Sequence, residues 1–415
     1  MKIFIRALLG FVILGLLLVA LNFDKIKRLQ TVNSLFDADK IVHNFSHMDE
    51  AFLHHDLDAS SDTQIWLENP TPLPDMITIN QKPYVLADVL KTLDTTAFIV
   101  VQDGKILNEQ YFLGTEKDDL RISWSMAKSF MSGLYGQALQ DGDITSLDET
   151  VETYAASLKG SAYEGATIRN VLNMASGVKF NEDYLDPKSD INDMGKILGL
   201  GGSMDKYTAS LKDREVEPGE RWKYVSIDTH VAAMVLRAAT GKTLHQMFNE
   251  TYSAHLGFDR APYYLTDGKD VAFALGGLNL TTRDYAKFGQ LFLQGGKWNG
   301  AQIIPADWAA TSTRDSAPTQ SDRGVGYGYQ WWVPMPQDGP NKGDFFAVGI
   351  YGQYIYVNPQ AGLVIAKNAA DREFTQPMPE FGAEFGHSMN VNIAIFRSLA
   401  DHYSTSPTLN EIVAE

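Results

Sequence analysis

Ser125-Met126-Ala127-Lys128 sets a hydroxyl and an amine three positions apart. On a helix, residues i and i+3 share a face, so Lys128 is expected one turn from Ser125 and within reach of its hydroxyl. A serine hydroxyl is a weak nucleophile that needs a base, and a lysine can serve when burial and neighbouring groups lower its pKa. If Ser125 opens the helix, the free amides there also favour negative charge on the reacting oxygen. Trp124, Met126, Ala127, Phe130 and Met131 surround the pair with apolar residues, where an unpaired lysine would be costly. The same four residues also fit an ordinary amphipathic helix with a solvated Lys128. Further along, Tyr224-Val225-Ser226 follows the turn Glu217-Pro218-Gly219 and precedes an apolar run from Val231 to Leu236. That places Tyr224 in a loop entering a core helix. A phenol there can pass a proton between nucleophile and leaving group if a nearby cationic lysine stabilises its phenolate; the alternative is a core tyrosine capping a backbone group. Nucleophile, base and relay together point to acyl transfer through a covalent serine intermediate.

With these residues, the chain resembles the serine β-lactamase and penicillin-binding protein superfamily over roughly Leu86 to Ser398. The resemblance is carried by Ile122-Ser123-Trp124-Ser125-Met126-Ala127-Lys128-Ser129, by Thr167 to Gly177, by Pro218-Gly219 before Tyr224, and by Arg283-Asp284-Tyr285-Ala286-Lys287-Phe288-Gly289, in the family's order. The family's third motif, normally Lys-Thr-Gly or His-x-Gly, is replaced by Ala347-Val348-Gly349 within Ala347 to Gln353. Ala347 cannot hold a substrate carboxylate, which disfavours β-lactamase and carboxypeptidase activities, while Gly349 can let the backbone approach the substrate. The resemblance implies an oxyanion hole made by the backbone amides of Ser125 and Ile350. Within the superfamily the chain is most similar to the 6-aminohexanoate-dimer hydrolase branch, through the Gly-x-Tyr-Gly-Gln strand, the Tyr-x-Ser motif and Glu182-Asp183-Tyr184-Leu185-Asp186-Pro187. That branch implies Tyr184 at the leaving amide, with a surface tyrosine as the alternative. Ser226 stands where many relatives have asparagine and is expected to join the relay or to act as a local cap. Trp331 or Trp332 is expected to wall the pocket, with Trp331 the one assigned to substrate binding and core packing as the alternative.

These residues need a scaffold. Phe98 to Val101 and Ile106-Leu107 flank Asp103-Gly104, a hairpin signal just ahead of the serine. Tyr354 to Val357 and Leu363 to Ala366 read as returning strands, Asp284 to Phe292 as a helix behind a Thr282 cap, and Val391 to Leu399 as a closing helix. The resemblance implies an α/β (α+β) fold: a β-lactamase-like antiparallel sheet flanked by helices, an inserted mostly helical lobe, and the site between them. The expected division is 1–23 as membrane anchor or uncleaved signal, 24–92 as an irregular spacer wrapping the catalytic domain, 93–144 with 297–405 as the sheet-containing lobe, 145–296 as the helical lobe, and 406–415 as a tail.

A chain of 415 residues with 44% hydrophobic content can build a substantial core. Its net charge of -16 opposes nucleic-acid binding, which needs clustered Lys and Arg. It has no cysteine, which excludes disulfides and thiolate chemistry. No Gly-x-Ser-x-Gly elbow, His-Glu-x-x-His pattern or phosphate loop is present, and no cofactor is indicated. His54-His55 with Asp56 and Asp58 matches no metal-ligand spacing and reads as a solvated turn. Ala7 to Phe23 is uncharged and rich in Leu, Ile and Val behind Lys2 and Arg6; it reads as a retained single-pass anchor, with a signal peptide as the rival. By analogy with penicillin-binding relatives, the catalytic domain is expected outside the inner membrane. Substrates in view are small amides or esters, cell-wall peptides are the alternative, and a non-catalytic envelope-binding protein is the reading from another class. The sequence carries no signal for oligomeric state.

Overall fold

Asp103 and Gly104 both adopt positive φ, at 48° and 75°, which suits a two-residue hairpin loop whose twist matches its strands. The computed structural model describes residues 2–21, 23–60, 62–319, 324–382 and 387–405. Its central sheet contains β1 (Leu67–Glu68), β2 (Thr95–Gln102), β3 (Lys105–Tyr111), β4 (Val325–Tyr327), β5 (Trp332–Pro334), β6 (Phe345–Gly349), β7 (Gln353–Asn358) and β8 (Leu363–Ala369). In space the order is β4-β5-β6-β7-β8-β2-β3-β1. Neighbours run antiparallel except β1, which lies parallel to β3. Gln102 pairs with Lys105 across the hairpin, and β8 pairs with β2 from Leu363 opposite Gln102.

Alternation along the strands divides the core between two faces. Phe98, Val100, Tyr354, Tyr356 and Ile365 face one side, packed with Ile395, Phe396 and Leu399. Ile99, Val101, Ile355, Val357 and Val364 face the other, in one cluster with Phe130, Met131, Phe288 and Leu291. The helices that matter here are α1 (Lys2–Leu21), α2 (Phe23–Asn33), α3 (Ala127–Asp141), α4 (Asp190–Gly199), α5 (Ser226–Thr240), α6 (Thr282–Leu293) and α7 (Ser388–Thr405). α6 lies directly on the sheet instead of in the helical lobe where the sequence placed it. Its cap is Thr281, whose side chain accepts a bond from the Asp284 amide, one residue before the expected Thr282. A smaller four-stranded sheet pairs His54–Asp56, Tyr263–Leu265, Leu278–Leu280 and Arg121–Ile122 in that order.

Two expectations for the N-terminal part need correction. Residues 24–92 are not an irregular spacer: they supply α2, strands in both sheets and buried Leu35, Phe45, Met48, Ile77 and Ile79. Short apolar elements docking on a finished surface leave no long period in the sequence, so this region read as loop. Among the described residues no helix is long and apolar enough to cross a membrane, so the anchor expected over 1–23, and the single-pass placement resting on it, is not supported. α1 ends at Leu21, Met1 and Asn22 lie outside the described residues, and α2 (FDKIKRLQTVN) is polar. The tail assigned to 406–415 also lies outside the described residues.

Gly289 is what lets α6 approach the sheet. A Cβ there would sit 2.6 Å from Val364 and 2.8 Å from Ile355. Gly289→Val is therefore expected to destabilise the fold by about 1–3 kcal/mol, measured by urea denaturation; an unchanged midpoint would contradict this packing.

Candidate active site

The smaller sheet holds the serine turn in place. Arg121–Ile122 pairs with Leu278–Leu280, and the Ser123 amide donates to the Leu278 carbonyl at 2.8 Å. Trp124 then takes φ 42°, a left-handed conformation that a bulky residue adopts only when its surroundings enforce it. Ser125 sits in a single 3-10 turn, Trp124–Met126, which runs straight into α3 at Ala127. The serine thus lies just ahead of the helix, and Lys128 is in its first turn.

Lys128 is 2% exposed. Its Nζ lies 2.7 Å from Ser125 Oγ and 3.3 Å from Ser226 Oγ, and it donates to the Leu275 carbonyl at 3.0 Å. Burial pushes its pKa down to about 7, while the negative charge of Glu182 works the other way. A solvated lysine on an amphipathic face is excluded by this burial. Tyr224 places its ring centroid 5.2 Å from Lys128 Nζ. Burial raises the Tyr224 pKa, and its bond to Ser125 offsets this in part. The residue is thus a neutral phenol beside the serine; the phenolate considered from sequence is disfavoured.

Ser226 is fully buried and begins α5. Its amide donates to Glu182 Oε2 at 3.0 Å, its hydroxyl makes a short bond to Glu182 Oε1, and the Tyr184 hydroxyl donates to Oε1 at 2.7 Å. A carboxylate at a helix N-terminus is electrostatically favoured. Ser226 therefore links Glu182 to Lys128. Glu182 was not singled out from sequence; the available signal was an acid two residues before Tyr184, too common to interpret alone.

On the sheet side, Gly349 ends β6 where a Cβ would meet the Ser123 carbonyl at 2.3 Å and Trp124 Cβ at 3.0 Å. The glycine makes room for the serine turn, a role distinct from the substrate approach expected of it. Ile350 follows, bordering both cavities that open at Ser125. Ala347 is buried in the core, so no basic group enters from its position. Trp331 is corrected: it is fully buried, stacked on Phe288 at 5.8 Å and edge-on to Phe345. Alternation along the chain turns its neighbour the other way, and Trp332 stacks on Tyr224 at 5.3 Å and lines the site.

A cavity of about 270 Å³ is bordered by Ser125, Tyr184, Tyr224, Trp332 and Ile350. A larger one of about 820 Å³ shares Ser125, Tyr184 and Ile350 and extends beneath α2 and α4. Away from this cleft, His55, His245 and Asp270 bring one potential ligand atom each within 4.8 Å. The two imidazoles are stacked at 4.0 Å and 5°, so their in-plane lone pairs do not converge on a common point, and His55 is hydrogen-bonded to Asp270 at 3.1 Å.

A half-buried serine against a buried lysine, with a tyrosine beside them, between a sheet and a helical layer, defines an enzyme of serine-hydrolase type. Residues 86–380 match the Beta-lactamase family model, and the chain belongs to that family. It is 28% identical over 313 residues to the 6-aminohexanoate-dimer hydrolase of Paenarthrobacter ureafaciens, covering 72% of this chain and 79% of that protein. A solved Bacillus anthracis structure, described as a presumed 6-aminohexanoate-dimer hydrolase, superposes with a TM-score of 0.75 and 26% identity over 88% of this chain and 96% of its own. A D-stereospecific amidohydrolase from Streptomyces sp. shares the fold, with TM-score 0.54 and 19% identity over 68% of this chain and 94% of its own.

Because the Glu182 charge raises the Lys128 pKa, Glu182→Gln is expected to lower it. The acidic limb of the pH–rate profile should then move to lower pH; a limb that stays or moves upward contradicts the Ser226-mediated coupling.

Proposed function

We propose that the protein hydrolyses a linear amide or ester through an acyl-enzyme on Ser125, with chemistry like that of 6-aminohexanoate-dimer hydrolase. The observation that carries this reading is the 2.7 Å approach of Ser125 Oγ to a buried lysine whose pKa lies at about 7. Neutral Lys128 takes the serine proton as the Oγ–carbon bond forms. Negative charge develops on the carbonyl oxygen, and the backbone amides of Ser125 and Ile350 receive it; one such donor is worth roughly a hundred- to a thousandfold in rate. Tyr224, as a neutral phenol bonded to Ser125, delivers a proton to the departing nitrogen or oxygen, and Lys128 replenishes it. Water then attacks the acyl carbon, its proton returns through Lys128, and the carbon–Oγ bond breaks.

Tyr184, Trp332 and Val348 border the substrate, and Ser226 with Glu182 positions Lys128. Ala347 in place of the family's basic residue weighs against a β-lactamase or carboxypeptidase that must hold a carboxylate there. The close Ser125–Lys128–Tyr224 arrangement weighs against a non-catalytic envelope-binding protein.

Ser125→Ala is expected to abolish both the fluorophosphonate adduct seen by intact mass and p-nitrophenyl ester turnover, with an unchanged circular dichroism spectrum; an adduct retained by the variant refutes the assignment. Since the base must be neutral, kcat/KM should fall as pH drops through about 7, the pKa of Lys128. An acidic limb near 4 or near 10 would instead point to another group as base.

A further inference from the structure

Resting on the reading of Ser125 as nucleophile, we infer that the larger cavity holds a long apolar acyl chain, so that the substrate class is an ester or amide of a medium- to long-chain acid. The cavity measures about 820 Å³ and begins at Ser125. Leu35, Phe52, Ile191, Met194 and Leu198 line its interior. Lys196 is the one charged side chain among the described lining residues, and its Nζ is engaged by the Pro187 carbonyl at 2.8 Å and Asp193 at 2.7 Å. Asn192 also lines the cavity, but its amide donates to the Tyr184 and Asp186 carbonyls. Lys196 and Asn192 are thus engaged by the surrounding loop; of the other polar lining residues, Asn33 is exposed, and Trp124, whose buried Nε1 has no partner among the described residues, adjoins Ser125 at the polar end of the cavity.

The rim has the same character. Leu29, Phe36, Leu185 and Leu200 border the cavity and are 40%, 39%, 68% and 71% exposed. Exposed apolar side chains ringing an apolar cavity mark a surface that receives an apolar ligand. The direction of the substrate follows from Tyr224, which borders the smaller cavity and not the larger. A leaving group that takes a proton from its hydroxyl lies on that side, and the acyl chain on the other. A 6-aminohexanoate dimer, an ammonium at one end and a carboxylate at the other, would bury charge without a partner there, which is unfavourable.

The test is the acyl-chain-length profile of the full chain on p-nitrophenyl acetate, butyrate, octanoate and laurate, beside linear 6-aminohexanoate dimer. Buried methylenes add up to about fourfold each, so kcat/KM is expected to rise by at least about tenfold from acetate to octanoate. Gly195 lines the cavity, and a Cβ on it meets no atom within 4 Å. Gly195→Leu therefore fills the chain site and should lower the octanoate-to-acetate ratio about tenfold, as one leucine displaces several methylenes. Leu185→Asp, at an exposed rim position, should lower the same ratio and serves as the second variant should the first fail to fold. A flat or falling profile with Ser125-dependent acetate turnover, a ratio unmoved in the folded variants, or preference for the zwitterionic dimer overturns the acyl-chain site and leaves the serine hydrolase standing. Absence of any Ser125-dependent turnover or fluorophosphonate adduct overturns the underlying reading instead.

Discussion

The structure around the site depends on one constraint: an amine buried at Lys128 must be able to give up its proton near neutrality and still be hydrogen-bonded. Its pKa falls from 10.5 to about 7, a displacement corresponding to roughly 5 kcal/mol between its protonation states. A carboxylate in direct contact would cancel that effect. The nearest acid acting on it, Glu182, is instead held one residue away, with Ser226 interposed between carboxylate and amine. Glu182 remains close enough to moderate the desolvation without forming an ion pair, and its two oxygens also satisfy the α5 terminus and Tyr184.

The scaffold delivers the other groups to that amine from independent elements. The small sheet fixes the turn carrying Ser125, α3 carries Lys128, the approach to α5 carries Tyr224 and its first residue is Ser226, and the loop before α4 carries Glu182 and Tyr184. β6 closes the opposite side only because Gly349 admits the Ser123 carbonyl. A larger residue there would displace the serine turn itself. Since the two faces of the central sheet are packed separately, α6 can brace β7 and β8 from one side while β6 and the start of β7 border the cleft.

Elements with a strong local signal were legible in the sequence. The Asp103-Gly104 hairpin, the strands after Gln353 and Leu363, and the closing helix follow from turn chemistry and apolar patterning, and the serine–lysine pair follows from helical spacing. What escaped detection depends on contacts between distant segments. Residues 24–92 dock as short pieces whose apolar residues acquire meaning only against the finished core. Trp331 and Trp332 are adjacent, and a single sequence does not say which side of the strand faces the cleft; the structure buries Trp331 and turns Trp332 to Tyr224. Glu182 becomes informative only once the chain brings it to Ser226, 44 positions later.

The central claim is the state of the Lys128 amine, which can be observed directly by following its Nζ resonance in ¹⁵N-lysine-labelled protein as pH is varied, with Lys128→Met to assign the signal. A titration midpoint near 7 is the predicted result. A midpoint near 10 would show an ordinary solvated or ion-paired ammonium and contradict the account.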